Sequence, residues 1–459
     1  MSAGRVPMRF IVLAGATLCT SWQISYGGQP PDVVQSDGSY NTAMGSYALI
    51  NNNGYDNTAA GSYSMQNVTT GVGNSAFGAR TLGAATTGAE NTAVGDLALA
   101  LTSTGGQNTA VGAETLYANT TGSYNTAVGY SAGSKSTTGY DNTATGAYAL
   151  FSNTTGYYNS GSGLAALYLN TTGDKNTASG ANALYSNTTG SRNNASGFNS
   201  MFSNTTADDN NAMGYSAMFS NTTGTLNNAV GNFALYYNTT GNNNNAVGYA
   251  ALYHNTTGSN NSAQGFYALE NNTSGDGNIA IGQYAGSNQT TGSSTIYIGN
   301  PGVAAESATI RIGNPAAHIA AYVAGIANAK ITGNAVYITS SGQLGVLASS
   351  ERYKTDIAPM GTTSGRIQQL RPVTFKLKNQ ADRAPQYGLI AEEVARVYPE
   401  LVTRDEAGKI DGIRYDELAP MLLNEVQRQS RTIADQGSEL RALRRELTKL
   451  KAAVSAQGT

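Results

Sequence analysis

Between residues 41 and 293 apolar residues recur singly, at a fixed interval, rather than in runs. The glycine of an Asn-Thr-Ala-x-Gly core stands at Gly45, Gly61 and Gly78, and then every 17 residues through Gly282. A good copy reads Asn125-Thr126-Ala127-Val128-Gly129, and a variant reads Asn244-Asn245-Ala246-Val247-Gly248. An Ala-Leu pair follows, as at Ala149-Leu150, and then Asn-Thr-Thr-Gly, as at Asn153 to Gly156. Strand alternation puts Ala127 on the face opposite Thr126 and Val128, and so small a side chain suits a crowded interior. Gly supplies a tight corner, Ala-Leu predicts a second short strand, and Asn-Thr-Thr-Gly predicts a turn. Gly and Asn at this density disfavour a helix. Each unit therefore reads as one coil of a β-solenoid, and strand spacing of about 4.8 Å gives a rod on the order of 70 Å.

The x position carries Val94, Val111, Val128, Met213, Val230, Val247 and Ile281, with Ser162, Ser179 and Ser196 in the middle. So many apolar side chains are costly against water and are explained by a neighbouring copy, so x predicts an inter-chain seam with a wetter middle third. After Gly282 the pattern shifts to longer alternation. Thr295 to Pro301 is echoed by Thr309 to Pro315, and further strands are predicted over 321–326 and 335–339, making residues 294–348 a β-rich neck.

From Ser349 the chain is charged and helix-forming, and residues 349–420 predict a small α+β domain. Its expected elements are a strand over 371–378, a helix from Ala391 to Val397 stopped by Pro399, a turn over 405–408, a strand over 410–415, and a long helix from near Pro420. In that helix Ala419, Leu422, Val426, Gln429, Ile433, Gln436, Leu440, Leu443, Leu447, Leu450 and Val454 fall at alternating steps of three and four. That heptad predicts a coiled coil over 421–459.

Composition sharpens this division. The formal net charge is −2 over 459 residues. Residues 1–348 hold 8 Lys+Arg against 13 Asp+Glu, a net of −5, and residues 349–459 hold 18 against 15, a net of +3. No basic face points to nucleic acid. Residues 1–26 predict an export signal, with Arg5 and Arg9 ahead of a short apolar run, and residues 27–40 a linker. The single cysteine, Cys19, lies in that leader. With His254 and His318 the only histidines and far apart, neither a histidine metal site nor a Ser-His-Asp triad is expected, and no cofactor or metal is implied. No paired carboxylates stand out in the repeats, which argues against a polysaccharide-cutting tail spike. Tyr157, Tyr158, Tyr236, Tyr237 and Tyr253 lie beside Asn and Thr, an arrangement that suits either a host-surface or carbohydrate ligand or simple tyrosine ladders between coils.

Over about residues 41–299 the Asn-Thr-Ala-x-Gly core with its Ala-Leu resembles the head repeat of YadA-like trimeric autotransporter adhesins. That resemblance implies a trimer of left-handed parallel β-rolls, here with coils a few residues longer. Those adhesins end in a membrane-anchoring β-barrel, whose terminal strands are not expected here. The module from Ser349 resembles the C-terminal intramolecular chaperone autoprotease of endosialidases, tail spikes and fibres. The matching residues are Ser349 to Ile357 as S-x-x-R-x-K-x-x-I, Leu370-Arg371-Pro372-Val373-x-Phe375, Gly388 to Val394, Pro399 to Val402, and the heptads. The resemblance implies a trimer that guides assembly of the upstream β-structure and then cuts itself free. It makes Ser349 the nucleophile and Lys354 its base, with cleavage between Ala348 and Ser349. A serine needs such a base, and a lysine serves once desolvation or a nearby cation lowers its pKa, Arg352 being the candidate neighbour. The expectation is an exported homotrimeric adhesin or fibre at the bacterial surface or secreted. The alternatives are a phage or prophage tail fibre or tail spike in a virion, and a fibre that does not cleave.

Overall fold

In each repeat the Thr-Ala-x triplet is a three-residue strand, as at Thr126–Val128. Successive triplets pair parallel in register, Ala110 beside Ala127 beside Ala144, so a step of 17 residues is one coil. A computed structural model describes residues 35–323, 335–339, 341–378, 384–405 and 407–457. The export signal expected over 1–26 lies outside the described residues. The chain divides into two compact units between residues 323 and 324.

The first unit is a parallel β-solenoid whose single sheet has 18 strands. Its first strand, β1 (Gln35–Ser36), runs antiparallel to β2 (Thr42–Met44), and every later pairing is parallel. The neck strands Ile296–Ile298 and Ile310–Ile312 continue this same sheet, the last after a shortened coil of 14 residues. Residues 321–323 carry no strand, and the rest of the strand expected there lies outside the described residues. Tyr337–Ile338 pairs antiparallel with Leu344–Gly345 in a short hairpin.

The solenoid interior is narrow and built of columns. The strand alanines, among them Ala127, Ala178 and Ala246, are buried, and so are the Ala-Leu pairs such as Ala149 and Leu150. The second strand expected at Ala-Leu does not form. Those residues lie in a turn, with Tyr148 and Leu150 left-handed at φ of 60° and 50°. That backbone costs roughly 1–2 kcal/mol per residue, and burying the leucine side chain, worth about 1.5–3 kcal/mol, offsets it. Gly129 has a φ of +132°, and a Cβ there would sit 2.6 Å from the Gly146 carbonyl carbon, so glycine alone lets the coils close up.

Two asparagine ladders run through this interior. In the first, the side-chain oxygen of Asn108 accepts the backbone N–H of Asn125 at 3.0 Å and its amide N–H at 3.1 Å, while Asn125 also donates to the Gly139 carbonyl at 2.9 Å. In the second, Asn170 donates to Asn153 at 2.7 Å and to the Gly173 carbonyl at 2.9 Å. The Asn of Asn-Thr-Thr-Gly is thus a buried rung as well as a turn residue.

The second unit holds its own core of Ile367, Val394, Tyr398, Leu401, Val402, Leu418 and Met421. Its elements are the strands Val373–Phe375 and Gln386–Gly388, helix α1 (Ala391–Val397), the strands Val402–Arg404 and Ile410–Ile413, and helix α2 (Tyr415–Gln457). α2 starts before Pro420, where the sequence placed its beginning, because Leu418 and Met421 are packed into the core and hold the first turns in place. Among the described residues no helix is long and apolar enough to cross a membrane.

Candidate functional site

The segment around Ser349 is shaped by local hydrogen bonds. Residues Glu351–Tyr353 form one 3-10 turn, with the Tyr353 N–H donating to Ser350 O and the Lys354 N–H to Glu351 O, each at 3.0 Å. This turn brings the chain back on itself, so that Lys354 Nζ donates to Ser349 Oγ at 3.5 Å. The two expected catalytic residues therefore meet within one chain, and Ala348, Ser349 and Lys354 are all exposed. The Arg352 guanidinium lies 4.7 Å from the centre of the Tyr353 ring.

The other motif residues build the body behind this turn. Arg371 forms a forked pair with Glu393 at 2.6 and 3.2 Å, which holds the Glu393 carboxyl below its usual range and joins the Leu370-Arg371-Pro372 stretch to the start of α1. Tyr415 Oη accepts the Leu389 N–H at 2.9 Å. Tyr398 is buried, donates from its hydroxyl to the Thr363 carbonyl at 3.1 Å, and carries Arg366 over its ring.

Asn424 and Glu425, which the sequence reading passed over, clamp α2 to this body. Asn424 donates to Gly361 O at 2.9 Å and to Ser364 Oγ at 2.7 Å. Glu425 is buried, accepts from Gln368 at 2.8 Å and from Arg428 at 2.8 and 2.9 Å, and is held below the usual carboxylate range chiefly by Arg428. The signal was present, since both residues fall off the heptad seam. The seam residues Leu422, Val426, Ile433, Leu440, Leu443, Leu447, Leu450 and Val454 all stay exposed, so one helix serves two faces.

On the solenoid the aromatic residues form ladders, one of the two arrangements the sequence allows. Phe151, Tyr168, Tyr185, Phe202, Phe219, Tyr236 and Tyr253 stack one per coil at 5.0–5.3 Å. The x side chains face outward as expected, Val94 and Val128 being 37% and 39% exposed. Among the described residues no cluster of His, Cys, Asp and Glu could hold a metal ion.

No curated protein and no solved structure matches the chain. A family model described as the chaperone of endosialidase matches residues 349–403, from the serine of the Ser349–Lys354 pair into the strand Val402–Arg404.

Proposed function

We propose that this chain is a tail-fibre-like homotrimer whose second unit is an intramolecular chaperone that assembles the β-solenoid and then releases itself by cutting between Ala348 and Ser349. The observation that carries the reading is the family match over 349–403 followed, after the strand Ile410–Ile413, by a long helix with an exposed heptad face. Parallel pairing is slow to form, and a slip of one coil in a repetitive chain looks nearly native. A trimeric coiled coil holds three chains parallel and raises their effective concentration. The outward x rank then forms the seam between copies, with Ser162, Ser179 and Ser196 leaving its middle wetter.

In the cleavage step Ser349 Oγ attacks the Ala348 carbonyl carbon while Lys354 accepts the hydroxyl proton. The Ala348–Ser349 peptide bond breaks, the proton passes to the new Ser349 amine, and water hydrolyses the resulting ester to free the Ala348 carboxylate. Lysine does this work when desolvated. Lys354 is exposed in a single chain, so the covering surface has to come from docking of neighbouring copies, which ties the cut to assembly. Cleavage then removes the folding template and leaves a kinetically trapped product. The product serves as an exported adhesin or fibre at the cell surface; N-terminal sequencing of the mature protein separates this from a virion fibre, which keeps residues 1–26. For the cut itself, mass analysis of wild type should show a C-terminal fragment starting at Ser349, with Ser349→Ala and Lys354→Ala staying full length. A fragment persisting in both variants would rule out the dyad.

A further inference from the structure

Toward its C-terminal end the solenoid changes along one rank. The residue preceding the buried amide of each coil, an Asn in all but the last, where it is Gln289, is Ser186, Ser203 and Ser220, and then Tyr237, His254, Asn271 and Asn288. There the surface opens into a shallow groove of about 1030 Å³, walled at its end by Val303 and Ala304. The Tyr237 and His254 rings stack at 5.5 Å and 5° from parallel, and Tyr237 is 41% exposed. With one coil every ~4.8 Å, the five coil steps spanned from Ser220 give a groove roughly 24 Å long.

Several donors around this groove are already committed. Asn271 and Asn288 donate their amide N–H groups to Ser287 O and Gly302 O, and the hydroxyls of Thr239, Thr256 and Thr273 donate to the carbonyl of the next coil. What faces outward is a row of side-chain oxygens beside two aromatic rings, with the hydroxyls of Ser220, Tyr237 and Thr290 in the same lining. Among the described residues no Asp, Glu, Lys or Arg lines it. The backbone is committed as well, with Thr239 N–H bound to Thr256 O, His254 N–H to Glu270 O and Thr256 N–H to Thr273 O, so no strand edge is open to a peptide. A second copy is a poor fit too. These residues lie about half a coil from the outward x rank, and the change from serine to aromatic is confined to this end, whereas a seam between copies runs the length of the rod.

We propose that this groove binds a neutral oligosaccharide lying along the solenoid axis, its hydroxyls exchanging hydrogen bonds with the row of side-chain oxygens and a sugar face resting on Tyr237 and His254. Aromatic walls with a few fixed polar groups are the usual make-up of a ligand cleft. An acidic glycan is disfavoured, because no cation lines the groove and residues 1–348 carry a net charge of −5. The inference does not depend on self-cleavage, since the groove belongs wholly to the first unit.

The test is saturation-transfer NMR and calorimetry of the full chain with cellohexaose, chitohexaose and maltohexaose, and with polysialic acid as the acidic probe. At least one neutral hexasaccharide should bind, the double variant Tyr237→Ala/His254→Ala should bind it about tenfold more weakly or worse, and Tyr124→Ala, an exposed tyrosine on another rank, should be unchanged. Circular dichroism confirms that the double variant keeps its fold. The proposal is overturned if no neutral probe binds, if the double variant binds equally well, or if polysialic acid is preferred. Protection of Tyr237 from nitration in the assembled wild type would overturn it as well, by showing that another copy covers the groove.

Discussion

At the scale of single residues, the solenoid depends on buried amides that bond from coil to coil, and its one interrupted ladder makes the point testable. Ser136 stands where neighbouring coils have Asn119 and Asn153, and Gly133 stands where they have Leu116 and Leu150. A small internal cavity is lined by Leu116, Gly133, Ser136, Leu150 and Asn153 among others, and Asn119 Oδ1 and Ser136 Oγ are buried with no hydrogen-bond partner. Substituting Ser136→Asn restores the rung: its amide reaches Asn119 Oδ1 and its oxygen receives Asn153. Two bonds at about 0.5–1.5 kcal/mol each should raise the melting temperature, measured by calorimetry. The converse substitution, Asn187→Ala, deprives Asn170 of a donor and Asn204 of an acceptor, in bonds of 2.7 and 2.8 Å. Each orphaned group costs about 1–3 kcal/mol, so amide exchange should quicken in the coils on either side. A Ser136→Asn variant that melts no higher than wild type would refute the ladder account.

At the scale of elements, what could be read in advance was what has a period. The 17-residue step, the inward alanine and the helix Ala391–Val397 all follow from spacing, and so does the exposed stripe from Leu422 to Val454. The Ala-Leu turn was misread because nothing in the residue types announces a left-handed leucine; its cause is the closing of the coil, a property of the whole repeat. The pattern of Asn-Thr-Thr-Gly shows only a turn, and neither ladder of buried asparagines is legible in it, because the partner of each rung lies a full coil away in sequence. For the site, the motif names Ser349 and Lys354, whose side chains lie 3.5 Å apart, but the stacking of Arg352 on Tyr353 is a matter of local packing. The two-faced α2 bears directly on how trimerisation should be tested. Its first turns carry Met421 and Glu425 into the body, so a truncation there damages the fold as well as the seam. Leu440 and Leu447 lie beyond those contacts and are exposed. Leu440→Asp/Leu447→Asp should therefore spare the body while yielding monomers or aggregates in sedimentation, because charges at seam positions cannot be buried between helices. Soluble trimers from that variant would remove the chaperone helix from the proposal.

At the scale of the whole solenoid, a stack of identical coils has to be stopped at both ends, since an open strand edge templates further pairing. At the start the antiparallel β1 covers β2. At the other end the inward column changes from Ala280 to Tyr297 and then to Arg311, so that a large ring and a charge occupy the place of a small alanine. Glu306 ties the two together: Tyr297 Oη donates to it at 2.9 Å, Arg311 does so at 2.8 Å, and the Val303 N–H at 3.0 Å. Arg311 holds the Glu306 carboxyl below its ordinary value near 4.5, and burial pushes the Tyr297 phenol up to about 12. These shifts act in opposite directions on pH. A carboxyl with a depressed folded pKa stabilises the cap above about pH 4.5, and that contribution disappears as pH falls through the folded value. A phenol with a raised pKa leaves the cap intact below pH 10 and weakens it as pH climbs from 10 toward 12, where the unfolded chain has lost the proton and the folded one keeps it. Hydrogen exchange should therefore quicken over residues 294–313 at both extremes of pH while the coils around residues 150–190 hold. Glu306→Gln should flatten chiefly the acid limb and Tyr297→Phe chiefly the alkaline limb, since Arg311 dominates the first shift and burial the second. Uniform exchange along the rod, or an acid limb unchanged by Glu306→Gln, would show that the end of the solenoid is closed by something other than this triad.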